Sequence, residues 1–119
     1  MKSILALSAS LALLFTVNAS RMLEEPTEFS PNRSDPEVIF AMKCLKNFFT
    51  SQDDTANRTL VKVVHATKQT VQGTLYRYQF EISGGANGNE ICDISVWNRP
   101  WLPDPSLRLE LAEQITCDV

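Results

Sequence analysis

One amphipathic helical stretch followed by four alternating stretches constrains the fold of this chain more than any other feature. Asp35-Pro36-Glu37 is a typical helix start, with an N-cap side chain, a proline at the first helical position and an acid in the first turn. Apolar residues then recur at helical spacing along one face: Val38, Ala41, Met42, Leu45, Phe48 and Phe49. Cys44 lies at the edge of this stripe. The pattern predicts one long helix that ends near residues 51–54.

The alternating stretches predict β-strands joined by hairpins. They are residues 59–67, 74–82 (with Tyr76, Tyr78, Phe80 and Ile82 on one face), 91–97, and a last stretch that begins at Leu107 and has a bulge near Ala112. A short loop containing Gly73, the cluster 83–88 and a proline-rich stretch mark the connections. The polar arm, residues 20–35, has room for a short edge strand. We therefore expect an α+β fold in which an antiparallel sheet of four to five strands wraps around one long α-helix.

The first residues have the features of a secretory signal peptide. A basic residue precedes the apolar run 4–17, and small residues up to Ala19 form a cleavage site. The run is short for a membrane span, and no charged stop-transfer cluster follows it, which argues against a membrane anchor or a buried helix. We expect residues 1–19 to be removed, residues 20–119 to form one domain, and the protein to be secreted.

The charge of the chain excludes one class of partner. The formal net charge is −3, and it becomes −4 when Lys2 is removed with the leader, because ten basic residues then face 14 acidic ones. A nucleic acid or an anionic membrane requires a basic face. The sequence shows none, so we expect neither partner.

The three cysteines, Cys44, Cys92 and Cys117, predict one disulfide and one free thiol in a secreted protein. Spacing alone allows three pairings. Cys92 and Cys117 lie in two strand-like stretches, and neighbouring antiparallel strands bring Cβ atoms within bridging range, so we favour Cys92–Cys117. Cys44 would then be free in a monomer, with a dimer through Cys44 as the alternative. Three separated cysteines and the lone His65 lack metal-ligand spacing, so we expect no metal.

An enzyme needs converging acids, bases or nucleophiles, and this sequence offers only Cys44 and His65 as a hypothetical dyad. No phosphate-binding glycine loop is present. We expect no enzyme activity and no cofactor. The unusual features are instead two apolar residues on connections, Val71 and Trp101. If both connections lie at the same edge of a meander, they form a ridge that fits a cleft.

The order of these features resembles the cystatin family. That family carries Gln-x-Val-x-Gly in its first hairpin, and the matching residues here are Gln69, Thr70, Val71, Gln72 and Gly73. Its second hairpin carries Pro-Trp, which matches Pro100-Trp101, eight residues after a half-cystine that matches Cys92. In the family the last cysteine pairs back to that half-cystine, and Cys117 stands in the expected place. The resemblance covers essentially the whole chain after the leader.

The resemblance implies a reversible, competitive inhibitor of papain-like cysteine proteases of the cathepsin type. In the family an apolar pair in the N-terminal arm joins the two hairpins in blocking the cleft, and Met22 and Leu23 match that pair. Glu24 and Glu25, however, occupy the places of the family's arm glycines, and the family's second disulfide has no cysteines here. Two carboxylates are costly in an apolar subsite, so we expect weaker binding by the arm. The alternative is a cystatin-like binding module that does not inhibit.

Two sequons predict surface glycans. Asn32-Arg33-Ser34 and Asn57-Arg58-Thr59 both fit the N-glycosylation pattern. We expect Asn32 and Asn57 to be glycosylated on the secretory route.

Overall fold

The predicted helix is present as α1 (Pro36–Thr50) in the computed structural model of the chain, which describes residues 24–118. Its buried face is the predicted one: Val38, Ala41, Leu45 and Phe49. Asp35 is the N-cap residue, but its Oδ2 accepts a hydrogen bond from the backbone N–H of Asn32 (3.0 Å) and none from the first turn. A proline at the first helical position has no N–H, so the helix start has one donor fewer to satisfy.

The strands form one antiparallel sheet in the order β1-β2-β3-β4-β5, with β6 also paired to β4. They are β1 (Thr27–Glu28), β2 (Thr59–Val71), β3 (Gly73–Gly85), β4 (Gly88–Asn98), β5 (Leu109–Leu111) and β6 (Thr116–Asp118). The sheet therefore has six strands where the sequence predicted four to five. The last predicted strand is interrupted after Leu111, and its two parts pair with different stretches of β4. Leu107 is not in a strand, because a 3₁₀ helix occupies Pro105–Leu107.

The core lies between α1 and the inner face of the sheet, as the α+β prediction requires. Alternate residues of β3 and β4 supply most of the sheet side: Tyr78, Phe80, Ile82, Cys92, Ile94 and Val96. The predicted disulfide Cys92–Cys117 is present and joins β4 to β6. Cys44 is free and half-buried against the core. The alternation in the sequence thus located the core face correctly.

The first hairpin is tighter than the sequence predicted. β2 continues to Val71 and β3 begins at Gly73, so Gln72 alone forms the tip, whereas the predicted strands left residues 68–73 as a loop. β2 also contains two bulges, which leave Val61 and Val64 as extra residues. A bulge adds one residue to one strand without changing its composition. Hydrophobic alternation therefore did not reveal either bulge.

A buried arginine stabilises the end of the sheet that lies opposite the first hairpin. Arg58 is 7% exposed, and its guanidinium donates to the carboxylates of Asp54 and Glu90 and lies 3.6 Å from the centroid of the Phe49 ring. Burial acts to lower the pKa of Arg58, but the hydrogen bonds and charges of Glu90 and Asp54 raise that pKa further than burial lowers it. Arg58 therefore stays charged and joins the segment after α1 to the start of β4.

The Asp54 carboxylate should make stability depend on pH. The backbone N–H of Ala56 (3.1 Å) and the Arg58 guanidinium hold the pKa of Asp54 below its ordinary value. A lowered pKa in the folded state stabilises the protein above the unfolded pKa of about 3.9, and this stabilisation is lost as the pH falls through the folded pKa. We expect Asp54→Asn to destabilise the protein at pH 6 and to have a smaller effect at pH 3. Urea unfolding at both pH values measures this, and an equal loss at both would contradict it.

Candidate functional site

Three segments meet at one end of the sheet. Antiparallel pairing places the end of β2, the start of β3 and the end of β4 at the same end of the sheet, with Thr74 opposite Asn98. The connection after β4 therefore emerges beside the tip of the first hairpin. We call this region, residues 69–73 and 98–102, the hairpin end.

Gly73 is required at the hairpin end for two reasons. Its φ is +83°, in the left-handed region that residues with a side chain rarely adopt. A Cβ at this position would also overlap the carbonyl oxygen of Asn98 and lie 3.1 Å from Cζ3 of Trp101. The glycine therefore allows the second connection of the same chain to approach the first hairpin closely.

The turn that carries Trp101 is held by backbone bonds. The N–H of Leu102 donates to the carbonyl of Arg99 (3.2 Å), with Pro100 at the second position of the turn, where its fixed φ is favourable. The N–H of Arg99 in turn donates to the carbonyl of Arg108 (2.7 Å), which extends the pairing of β4 with β5. This turn presents Trp101 with 53% of its surface exposed.

Trp97, which lies next to the hairpin end, is a residue that sequence analysis missed. Its indole Nε1 donates to the carbonyl oxygen of Gln72 (2.6 Å), and its ring meets Trp101 edge to face, with centroids 6.3 Å apart. The guanidinium of Arg99 lies 5.1 Å from the Trp97 ring centroid. Trp97 therefore links the two hairpins. A tryptophan just before the Pro-Trp turn, on the face opposite Val96, was the signal that could have revealed it.

The predicted residues of the first hairpin are accessible to different extents. Thr70 and Gln72 are exposed, whereas Gln69 and Val71 are half-buried. Pro100 is exposed beside Trp101. The most exposed surface of the hairpin end is therefore formed by Gln72, Pro100 and Trp101. Val71 is partly exposed behind them.

The arm runs along β2 to the hairpin end. β1 pairs with β2, the N–H of Phe29 donates to the carbonyl of Ala66 (3.1 Å), and the Phe29 ring packs near Tyr76, with centroids 6.0 Å apart. Further along the arm, the N–H of Glu24 donates to the carbonyl of Thr70 (3.4 Å). The arm is thus anchored beside the first hairpin as far as Glu24. Met22 and Leu23 lie outside the described residues.

Side-chain hydrogen bonds add to this anchoring. The side chain of Gln69 donates through Nε2 to the carbonyl oxygen of Glu24 (3.1 Å), and its Oε1 accepts from Nη1 of Arg77 (3.3 Å). Arg77 in turn lies 3.6 Å from Oε1 of Glu113. The first residue of the Gln-x-Val-x-Gly motif therefore holds the arm in place. It does so through the backbone carbonyl of Glu24, and the Glu24 carboxylate takes no part in this bond.

The structure does not bring Cys44 and His65 together as a dyad. His65 pairs with Gln79 on the outer face of the sheet, and its Nε2 lies 3.2 Å from Oε2 of Glu28. Cys44 packs against the core on the opposite face. Its pKa is raised because burial disfavours the thiolate more than the charge of Lys43 favours it. The two side chains therefore offer no nucleophile and base in contact.

Two further properties apply to residues 24–118 only. In this range no three or more His, Cys, Asp and Glu side chains form a group that could hold a metal ion. The same residues contain no helix with the length and apolarity needed to cross a membrane.

The helix, the sheet and the hairpin end define an α+β domain that presents two connections and an arm along one edge. This arrangement is that of the cystatin fold. The crystal structure of Al-CPI matches with a TM-score of 0.56 and 21% identity over 79% of this chain and 99% of that chain. The crystal structure of dimeric human cystatin F matches with a TM-score of 0.52 and 19% identity over 79% of this chain and 87% of that one. No protein-family model matches the sequence, and no curated protein matches it either. The chain therefore has the cystatin fold.

Proposed function

We propose that this chain is a secreted, reversible and competitive inhibitor of papain-like cysteine proteases of the cathepsin type. The observation that carries the proposal is the hairpin end, where exposed Trp101 and the Gln72 tip are held together by Trp97 and Gly73. Such a preformed ridge loses little conformational entropy when it enters a cleft. The cystatin fold of the chain supports the same function.

The proposed mechanism is mechanical blocking of the cleft. Trp101 and Val71 supply apolar area that is buried on docking, and the exposed Thr70, Gln72 and Pro100 form the rest of the contact surface. The tight turn at Gly73 offers no extended peptide to the protease thiolate, so no bond is cleaved. Inhibition is then reversible, and substrate at high concentration relieves it. Met22 and Leu23 extend the contact beyond Glu24.

Titration of papain with the secreted chain tests the proposal. Residual activity should fall in a saturable manner, and it should recover on dilution and at higher substrate concentration. Full papain activity at micromolar concentrations of the folded, disulfide-bonded chain would refute the proposed function.

A second candidate is a cystatin-like binding module that does not inhibit proteases, and the acidic arm favours it. Glu24 and Glu25 are both exposed next to the hairpin end, where they would meet an apolar subsite. The two candidates differ in the papain titration, because only the inhibitor reduces activity.

Replacing the arm glutamates with glycine should strengthen inhibition. The contacts of Glu24 with Thr70 and Gln69 use its backbone, so Glu24→Gly keeps them and removes only the carboxylate. Glu25→Gly removes the second charge. We expect each change to lower the inhibition constant for papain by about fivefold, equivalent to about 1 kcal/mol.

A matched control for the arm variants is available at the other end of the molecule. Asp53→Gly removes one exposed carboxylate, and glycine suits the positive φ of this residue (62°). This change should leave the inhibition constant unaltered. If Glu24→Gly and Glu25→Gly also leave it unaltered, the arm carboxylates do not weaken binding.

The proposal also includes the secretion, the glycosylation and the oligomeric state of the protein. Residues 1–19 are removed as a signal peptide, Asn32 and Asn57 carry glycans, and the mature chain is a monomer. The raised pKa of half-buried Cys44 keeps it as a thiol, which slows formation of an intermolecular disulfide. Intact mass measurement of the secreted protein, before and after enzymatic deglycosylation, tests these three points together.

A further inference from the structure

A groove of about 550 Å³ lies between α1 and the first residues of β2. Val38 and Leu60 are buried at its base, and Ile39 and Met42 line it from the helix. Ile39 remains 56% exposed, among the highest values for large apolar residues of the described chain. The volume is within the range of about 300–1,000 Å³ that is usual for small-molecule sites. The hairpin end does not include any of these residues.

The rim of this groove is positively charged in a chain of net charge −3. None of its ten lining residues is acidic, and its cations include Arg33, Lys43 and Lys46. Within residues 24–118, no carboxylate oxygen lies within 4.0 Å of the side-chain nitrogens of these three residues. By contrast, the charge of Arg58, which also lines the groove, is neutralised by Asp54 and Glu90.

Arg33 is held in a defined position on this rim. Its Nη1 and Nη2 donate to the carbonyl oxygens of Leu60 and Val61, both at 2.6 Å, where the first bulge of β2 occurs. These acceptors carry no net charge, so they do not neutralise the positive charge of the guanidinium. Arg33 and the start of β2, with Thr59 and Leu60, form one wall of the groove, and α1 forms the other.

We propose that this groove binds an anionic amphiphile, namely a carboxylate carrying a single apolar chain of medium length. The apolar chain covers Ile39 and Met42, and the carboxylate lies among Lys43, Lys46 and Arg33. A sulfated sugar would leave the apolar floor exposed, and a neutral amphiphile would leave the cations unpaired. This activity is separate from the proposed protease inhibition, since β2 alone places Leu60 about 30 Å from Val71.

Calorimetric titration with dodecanoate below its micelle concentration tests the proposal on the disulfide-bonded chain made without glycans, because the proposed glycan site Asn57 lines the groove. We expect saturable binding with one site. Acetate, which lacks the chain, dodecyl maltoside, which is neutral, and dodecyltrimethylammonium, which is cationic, should each bind at least tenfold more weakly. Equal binding of the cationic detergent, or no binding of dodecanoate, would overturn the proposal. Tighter binding of a sulfated oligosaccharide than of dodecanoate would overturn it as well.

Charge reversal locates the site. Lys43→Glu and Lys46→Glu should each weaken dodecanoate binding by about tenfold, because each change replaces an attraction with a repulsion. Lys62→Glu is the matched control, since Lys62 is exposed on the outer face of the sheet, opposite Glu81. Backbone amide NMR shifts should concentrate at residues 38–46 and 58–61. Unchanged affinity in both helix variants, with retained near-ultraviolet circular dichroism, would refute the proposed site.

Discussion

Replacing Trp101 with alanine is expected to weaken inhibition of papain by about thirtyfold or more, equivalent to about 2 kcal/mol of binding free energy. The indole is 53% exposed, yet it is fixed between Gly73 and the edge of the Trp97 ring. A rigid, exposed tryptophan at the centre of a contact surface is a typical binding hot spot. The inhibition constant of the purified variant measures the effect directly.

Ile39→Ala provides the matched control for this variant. Ile39 has nearly the same exposure, 56%, but it lies on α1, away from the hairpin end. Its truncation should change the inhibition constant by less than about twofold, as expected of a residue outside an interface. Similar losses in both variants would mean that exposed apolar area anywhere on the molecule binds papain, which would contradict the proposed role of the hairpin end.

Trp97→Phe distinguishes contact with the protease from support of the hairpin end. Phenylalanine keeps an aromatic ring next to Trp101 but removes the Nε1–H that bonds to the carbonyl of Gln72. We expect an inhibition constant about fivefold higher than that of the unmodified chain, since a single hydrogen bond of this kind contributes about 1 kcal/mol. An unchanged constant would show that the tip needs no support from Trp97.

Replacing Arg58 with methionine is expected to lower the free energy of unfolding by about 3 kcal/mol or more. The guanidinium is buried, bonds to two carboxylates and lies over the Phe49 ring. Its removal leaves Glu90 without its cation and Asp54 with only the N–H of Ala56 as a donor. For a domain of this size the melting temperature should fall by at least about 12 °C. Urea unfolding followed by tryptophan fluorescence gives the free energy.

Arg77→Met is the control for charge removal. Arg77 is 45% exposed in its side chain and lies 3.6 Å from Glu113. Loss of such a surface pair should cost no more than about 1 kcal/mol. A difference of less than about 1 kcal/mol between the two variants would contradict the structural role of Arg58.

A triple variant identifies the physical cause of the Arg58 effect. Combining Arg58→Met with Asp54→Asn and Glu90→Gln removes both carboxylates that lose the guanidinium. If unpaired charge is the cause, the triple variant should be more stable than Arg58→Met alone. If the triple variant is no more stable, the loss comes from the packing of the guanidinium on Phe49.

Most of the fold could be predicted from local patterns. The start of α1, its buried face and the alternation of β3 and β4 depend on residues within a few positions of each other, and the structure confirms them. The pairing of Cys92 with Cys117 followed from their places on neighbouring strands and is also confirmed. The division of the last strand into β5 and β6 could not be predicted in this way, because it depends on pairing with β4.

The candidate site was predicted in part. The Gln-x-Val-x-Gly and Pro-Trp motifs identified residues 69–73, Pro100 and Trp101, which the fold brings to one end of the sheet. The linking role of Trp97 and the bonds from Gln69 to the arm were not predicted. They join residues 25 and 45 positions apart in the chain, and no local pattern encodes contacts at such separations.

The sequence by itself determined α1, the alternation of β3 and β4, the core face and the places of the two connections, because periodicity and turn chemistry act between near neighbours. The tertiary structure alone decided why Gly73 must be glycine, since the obstacle is the carbonyl of Asn98 on another strand. It also decided that Arg58 is buried and that a cationic groove opens beside α1. Each of these properties arises from groups that are far apart in the sequence and meet only in the folded chain.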